Sequence, residues 1–591
     1  MQKAEVVLGV LRERGRRGLP CEQLYRQMFN KDMYLVAYGN IYSNQGAMTP
    51  GASRETADGM SEEKIEQIAG LMRREKYRFS PARRTYIPKK TGKLRPLGMP
   101  SWSDKLVCEV VRLLLEAYYE PTFSGRSHGF RRGKGCHTAL REISQTWTGT
   151  VWFIEGDISD CFGSLDHQVM LTILAEKIRD SRFLRLIRNM LEAGYLEDWE
   201  YHPTLSGSPQ GSVVSPVLSN IYLHKLDEFI EQELIPQYTR GTVRRRNPEY
   251  YKVEYRLGRS RKNGDRAAAR DLRKQKREIP AGDPADPGYR RLTYTRYADD
   301  HILGFAGPRA EAGQIKAAIA EFLRETLKLE LNDAKTLITH ARTQRARFLG
   351  YDITVQYNNA KLTGGRRKVN GKIALKVPPD VMKAQCARYR QHGKPWHRPE
   401  LQNLDDYDIV RTYGAEYQGV VNYYLLAHDV YRLHTLWWHN VTSMLKTLAA
   451  KHHSTVSKIA ARHKAKIETR NGLRTCFEAR RKREGKKDLV ARSGGIILQR
   501  DRHAEIRDPL PAPAAYPRKE LISRLRKREC ELCETGTTVA VHQIAGLKAL
   551  GQPGPDQPAW AALMAKKRRK TLIVCAGCHE WIHANPVAHA V

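Results

Sequence analysis

Tyr297-Ala298-Asp299-Asp300, preceded by Arg291-Leu292-Thr293-Tyr294-Thr295-Arg296 and followed by His301-Ile302-Leu303-Gly304, is the stretch on which the reading of this chain turns. β-Branched and aromatic residues flank the acids, which predicts two short strands joined by a turn that carries the carboxylates. Paired acids in a turn are common turn formers and say little alone. A second run, Val151-Trp152-Phe153-Ile154-Glu155-Gly156-Asp157, also ends an apolar strand in an acid. Strand ends of this kind can bring Asp157, Asp299 and Asp300 together in space. Three converging carboxylates repel one another unless cations sit among them, and Mg²⁺ takes carboxylate and phosphate oxygens. Two such ions, roughly 3.5–4 Å apart, stabilise both the attacking hydroxyl and the departing oxygen of an in-line phosphoryl transfer. The expectation is a two-Mg²⁺ polymerising centre.

Composition agrees with a polyanionic partner. The chain has 591 residues, with 101 Lys and Arg against 64 Asp and Glu, a formal net charge of +37. That excess points to nucleic acid. At 41% hydrophobic and 28% charged residues the chain is globular rather than disordered, and its length predicts roughly three to four domains. No run approaches the ~18 apolar residues of a spanning helix, so no membrane partner is expected and the location is read as cytoplasmic. Gly129 to Gly135 looks glycine-rich and basic, but Lys134 is followed by Gly135 rather than Ser or Thr, which excludes a phosphate-binding P-loop.

From about Asn30 to Tyr357 strand-like and helical runs alternate, as in Thr150 to Glu155 and Ser103 to Tyr119. Arg240 to Arg291 carries 17 Lys and Arg against 7 Asp and Glu. It reads as an exposed basic insert. Leu404 to Lys451 is helical, with Tyr413, Tyr417, Val421 and Tyr424 three and four residues apart, a core stripe of a helical bundle. Gly485 to Arg528, with Pro509, Pro511, Pro513 and Pro517 among basic residues, reads as a linker or basic module. Beyond it Cys530, Cys533, Cys575 and Cys578 form two C-x2-C pairs separated by 41 residues, a spacing that suits one structural Zn²⁺.

The chain resembles the reverse transcriptases encoded by group II introns, also called intron maturases. Besides the acidic turn, Gly207-Ser208-Pro209-Gln210-Gly211 looks like the family's nucleotide and template segment. Arg95-Pro96-Leu97-Gly98-Met99-Pro100, after Lys89, Lys90 and Lys93, looks like its fingers hairpin. Ser127-His128-Gly129-Phe130-Arg131, Leu331-Asn332-Asp333-Ala334-Lys335 and Phe348-Leu349-Gly350-Tyr351 match further blocks, and Asn44-Gln45-Gly46-Ala47 resembles an extra loop near the N-terminus. The resemblance implies Asp157, Asp299 and Asp300 as Mg²⁺ ligands and Phe162 as a gate against ribose. It implies Gln210, Lys89 and Arg95 as contacts to the incoming dNTP and Lys335 as general acid for pyrophosphate. His301 stands where an apolar aromatic usually follows the acid pair, and Ser208 replaces a common Thr.

Val541-His542-Gln543-Ile544 and Cys575-Ala576-Gly577-Cys578-His579 with His583 resemble an HNH endonuclease module, with His542, His579 and His583 near one catalytic divalent ion. The residue after the first histidine is often a second histidine, the base that activates water. Here it is Gln543, whose amide has no titratable proton near neutrality.

The resulting expectation is a multidomain α+β chain, a right-hand polymerase followed by a small zinc-stabilised ββα-metal HNH domain. Fingers and palm would span 1–357 with the insert at 240–291, a helical thumb 358–484, a basic DNA-binding segment 485–528 and the HNH unit 529–591. The resemblance implies RNA-directed DNA synthesis in intron retrohoming together with binding of the parent intron RNA to assist splicing. The partners would be intron RNA, target DNA and dNTPs. A splicing factor with idle polymerase and nuclease sites is the rival reading, and the intact Asp157, Phe162, Gln210, Asp299 and Asp300 argue against it. A bacterial reverse transcriptase of defence or diversification type is disfavoured by the HNH module.

Overall fold

A computed structural model describes residues 2–88, 92, 94–198, 200–204, 206–207, 212–362, 364, 367–483, 485–506, 519–550 and 557–587. Lys89, Lys90, Lys93, Gln210 and the four prolines between 509 and 517 lie outside the described residues. At the centre stands a five-stranded sheet of β1 (Ser127–His128), β2 (Trp152–Asp157), β3 (Arg291–Tyr297), β4 (Asp300–Ala306) and β5 (Ile338–His340), in the spatial order β5-β2-β4-β3-β1. Only the β3–β1 pair is parallel. β4 is buried from His301 to Ala306, as its nearly unbroken apolar run requires of a central strand. Helix Arg309–Thr326 packs on β2, and helices Trp102–Tyr119 and Ser215–Phe229 pack on each other. Ser101 caps the first of these, its hydroxyl accepting from Asp104 N at 3.3 Å.

A hairpin of Ala82–Pro88 and Leu94–Met99 stands apart from this sheet and is widened by Tyr195–Glu197 and Glu200–His202. The basic insert is built from helices. Pro248–Lys262 and Arg266–Glu278 form an antiparallel pair of helices, each capped by the side chain of the residue before it, Asn247 and Asp265. Only Val253, Leu257 and Ala269 are buried in it, so caps and a narrow apolar seam suffice where hydropathy alone shows nothing. Its Arg245 is not free for a ligand, because Nε donates to Asp283 Oδ2 at 2.7 Å.

Ala346–Phe348, Tyr351–Val355 and Ile373–Lys376 form one antiparallel sheet, so the expected boundary at 357 falls within a loop of that sheet. The thumb is not purely helical. Lys464–Thr469, Gly472–Arg483 and Lys486–Gly494 make a three-stranded sheet against helix Asp406–Tyr424. The expected cut at 484 therefore falls between paired strands, and Ala504 packs in a core that these elements share with Phe153 and Ile302 of the central sheet. These strands are crowded with Lys and Arg; Cys476, Ala479 and Ala491 face inward and are buried, while Leu473 and Val490 are exposed. The tyrosine stripe is core: Tyr413, Tyr417 and Tyr424 are all buried.

The C-terminal unit pairs β6 (Val539–Gln543) with β7 (Thr571–Cys575), followed by helix Ala576–Ala584. Strand alternation gives this two-stranded sheet two apolar faces. Leu572 and Val574 join Trp560, Met564 and Ile582 in a small core of their own, whereas Val539, Val541 and Ile573 join the large core that includes the N-terminal helices. The unit is thus packed onto the body that holds the N-terminal helices.

Helix Asp406–Tyr424 and strand Lys486–Gly494 approach so closely that a Cβ at Gly414 would stand 2.5 Å from the Arg492 carbonyl oxygen. Gly414→Val should lower stability by about 1–3 kcal/mol through overpacking, read as an earlier denaturation midpoint. An unchanged midpoint would contradict this helix–strand contact.

Candidate functional site

β2 and β4 lie antiparallel with Asp157 opposite Asp300, and Asp299 sits in the turn just before β4. The turn needs Ala298 in the left-handed region, at φ 53°, which costs a non-glycine residue on the order of 1 kcal/mol. Three contacts hold it there. Ala298 N donates to His128 O at 2.9 Å. Arg296 Nη1 donates to Ala298 O at 2.8 Å. Gly129, itself at φ 85°, leaves just enough room, since a Cβ there would meet Ala298 N at 3.0 Å and the Tyr297 ring at 3.3 Å.

Arg296 and its partner Asp227 are both fully buried. The guanidinium donates from Nε to Asp227 Oδ1 at 2.8 Å, from Nη2 to Asp227 Oδ2 at 2.6 Å and to Ser127 Oγ at 2.7 Å. Tyr294 Oη donates to the same carboxylate at 2.8 Å. Burial works against the charge on Asp227, but Arg296 and these hydrogen bonds outweigh it and bring its pKa down to about 2. Arg296, Asp227 and Asn220, whose amide donates to Gly129 O at 3.1 Å, brace the acidic turn. Sequence reasoning passed over Arg296 and Asp227. Arg296 lies one residue before the quoted tetrad, but its role depends on a partner 69 positions away.

Electrostatics in the site show a shortage of positive charge. Burial raises the Asp299 carboxyl, and the Asp157 charge adds to it. Burial, a hydrogen bond with Asp157 and the two neighbouring acids push Asp300 up to about 7. Lys335 Nζ meets Asp157 Oδ2 at 2.7 Å and Asn332 Nδ2 meets it at 3.3 Å. One lysine and one amide thus reach Asp157 while burial and mutual repulsion disfavour the charges on Asp299 and Asp300, a strain that divalent cations would relieve. Arg95, exposed on the fingers hairpin, is close enough for its charge to act on Asp299.

His301 fills the space beside Gly156, where a Cβ would overlap the imidazole. Burial and the nearby Arg296 charge lower its pKa to about 4. It is neutral at pH 7 and acts as a flat core ring, which accounts for its standing at an aromatic position. After β2 the chain turns at Asp160, φ 39°, into the short helix Cys161–Ser164. Phe162 lies there edge-on to Phe130, ring centroids 6.1 Å apart. Gly207 packs against this turn, its N donating to Leu165 O at 2.7 Å.

In the C-terminal unit Cys530, Cys533, Cys575 and Cys578 bring their sulfurs within 4.8 Å of one another. Cys533 Sγ and Cys575 Sγ are 3.7 Å apart, close to the edge of a tetrahedron with ~2.3 Å metal–sulfur bonds. Cys533 N and Cys578 N each point at the first sulfur of their own pair. His542, His579 and His583 form a second cluster together with Asp58, an acid that no motif or spacing singles out.

Three family models match the chain: reverse transcriptase (RNA-dependent DNA polymerase) over residues 87–353, type II intron maturase over 376–487, and AI2M/AI1M-like HNH endonuclease over 530–579. The group II intron-encoded protein LtrA of Lactococcus lactis subsp. cremoris is 36% identical over 582 residues, 95% of each chain. This chain belongs to the group II intron-encoded proteins. As such it is an RNA-directed DNA polymerase and maturase of intron splicing and mobility that also carries an HNH endonuclease module. The uncharacterized 91 kDa protein in the cob intron of Schizosaccharomyces pombe is 33% identical over 95% of this chain and 70% of its own length. The putative COX1/OXI3 intron 1 protein of Saccharomyces cerevisiae is 29% identical over 94% and 68%. No helix among the described residues of this intron-encoded protein is long and apolar enough to cross a membrane.

Arg296→Ala should cost about 3–5 kcal/mol by leaving Asp227 buried and unpaired. The double replacement Arg296→Met with Asp227→Leu should recover much of that stability. Primer extension should stay depressed in both variants, because no donor reaches Ala298 O. Full activity in the double variant would show that the brace does not position the acids.

Proposed function

We propose that Asp157, Asp299 and Asp300 hold two Mg²⁺ ions for RNA-templated DNA synthesis at this site, during splicing assistance and target-primed reverse transcription of a group II intron. The observation that carries this reading is the apposition of Asp157 and Asp300 across β2 and β4, with Asp299 in the braced turn. Bound there, the ions would supply charge for the attacking 3′-hydroxyl and the departing pyrophosphate. Lys335 would be released from Asp157 by that charge and become free to donate a proton to pyrophosphate. Phe162 would lie under the sugar and exclude a 2′-hydroxyl. Arg95, with Lys89 and Gln210, would contact the nucleotide.

Intron RNA would lie along the thumb and the exposed basic face of the helical insert, where Arg256, Arg259, Arg270 and Arg273 are exposed. The domains would then be fingers and palm to Lys376, thumb to Ala504, and a DNA-binding and HNH region beyond. The four cysteines would hold a structural Zn²⁺. We place the protein in the cytoplasm, on nucleic acid. Target-strand nicking would be slow. Gln543 stands where a base is needed, and its amide donates to the Tyr42 carbonyl oxygen at 2.6 Å.

Asp299→Ala should abolish extension of a DNA primer with dNTPs on an RNA template, while intron RNA affinity measured in parallel stays within about twofold, since the basic surface is untouched. Retained synthesis would remove the site assignment. Cys575→Ser should lose zinc, and with it on the order of 10 kcal/mol of folding free energy in the small unit. Metal analysis of the purified protein and its variant checks this, and an equal zinc content in both would refute it.

A further inference from the structure

The histidine cluster of the HNH unit is completed from the other end of the chain. Met60–Ser61 add as a short antiparallel strand to β6, with Met60 opposite Val541 and Ser61 opposite Ala540. Gly59, at φ 75°, turns the chain there so that its N donates to Val541 O at 2.9 Å. The preceding residue, Asp58, is thereby carried to the histidines. One of its oxygens accepts from Gln543 N at 2.7 Å and stands 3.2 Å from His542 Nδ1. The other stands 2.8 Å from His583 Nε2 and 3.3 Å from His579 Nε2.

Ordinary ion pairing accounts for only one of these contacts, the hydrogen bond between His583 Nε2 and Asp58 Oδ2 at 2.8 Å. His542 is 5% exposed, and neither of its ring nitrogens has a hydrogen-bond partner, nor has His579 Nε2. His542 Nδ1 and His579 Nε2 stand at short distance from the carboxylate without a hydrogen bond to it. Buried donors are rarely left so. One nitrogen from each ring and one carboxylate oxygen lie within 4.8 Å of one another, the disposition of ligands around a single ion. Three histidines alone would leave a fourth position open for water or a DNA phosphate, as catalytic sites do, whereas four protein ligands close a site.

We propose that Asp58 is the fourth ligand of a divalent-metal site with His542, His579 and His583, and that this closed site clamps the HNH unit to the polymerase in a form that cannot engage DNA. This rests on reading the three histidines as a divalent-ion site. The remaining polar links across the contact, Arg526 to Asp32 at 2.9 Å and Arg528 to Glu62 at 3.0 Å, involve exposed arginines and contribute little. Gln543 serves the same contact through Tyr42 O, so the residue at the place of the base has become part of the dock. Opening the site for a DNA phosphate requires the segment carrying Asp58 to withdraw.

The test uses the full-length protein with its tetracysteine zinc retained, titrated with Co²⁺. Ligand-field absorption without thiolate charge-transfer bands reports binding at nitrogen and oxygen ligands. The wild type should take up one equivalent there. Asp58→Asn, which keeps an acceptor for Gln543 N–H, and Asp58→Ala should each weaken that equivalent on the order of tenfold or more. Hydrogen exchange of the Val539–Gln543 amides should be slowed by Co²⁺ in the wild type and much less in either variant. If the wild type binds no ion at these ligands, the underlying reading of the histidines fails. If it binds one and both Asp58 variants bind it equally well, with equal exchange, the fourth-ligand proposal alone is overturned.

Discussion

The acidic turn depends on one buried ion pair. Arg296 and Asp227 are both removed from water, which is expensive unless every donor and acceptor is met. Here the guanidinium spends its donors on the Asp227 carboxylate, Ser127, Asn220 and the Ala298 carbonyl. One charged fork therefore ties the helix Ser215–Phe229, the edge strand β1 and the strained turn residue to one another. Carboxylates that repel each other cannot position themselves. Their placement has to be imposed by neighbours whose geometry is over-determined, and this pair supplies it.

A similar economy governs the C-terminal unit. A two-stranded sheet with one helix layer is too small to bury both of its faces. One face is covered by its own helices and the tetracysteine knot, the other by the polymerase body through Val539, Val541 and Ile573. Because that second face is spent on docking, β6 also offers an edge for Met60–Ser61. Nuclease and polymerase are thus one packed body through this contact, with the histidines at the seam.

Much of the site was legible because its chemistry is local. Acids at strand ends, two C-x2-C pairs and histidines four apart on one helix each announce a geometry within a few residues. The tyrosine stripe of the thumb was equally plain, since helical spacing and burial are the same statement. The strands Lys464–Thr469, Gly472–Arg483 and Lys486–Gly494 were not, because basic residues crowd them and exposed Leu473 and Val490 interrupt the apolar-in, polar-out pattern. The helical insert hid for a related reason, with three buried residues stabilising a hairpin that mean hydropathy scores as solvent. Both expected boundaries fall where a sheet recruits a strand from the far side of a loop, an event that depends on long-range pairing.

The sequence by itself determined the charge excess, the acids at the strand ends, the two cysteine pairs and the order of modules, since each is written in residue type and short spacing. Only the tertiary structure decided that Asp227 pairs with Arg296, that His301 is a neutral filler beside Gly156, and that Asp58 meets His583, 525 positions away. Those contacts join residues whose local surroundings contain no trace of the partner. They exist because sheet register and core packing, once satisfied, fix which distant side chains become neighbours in space.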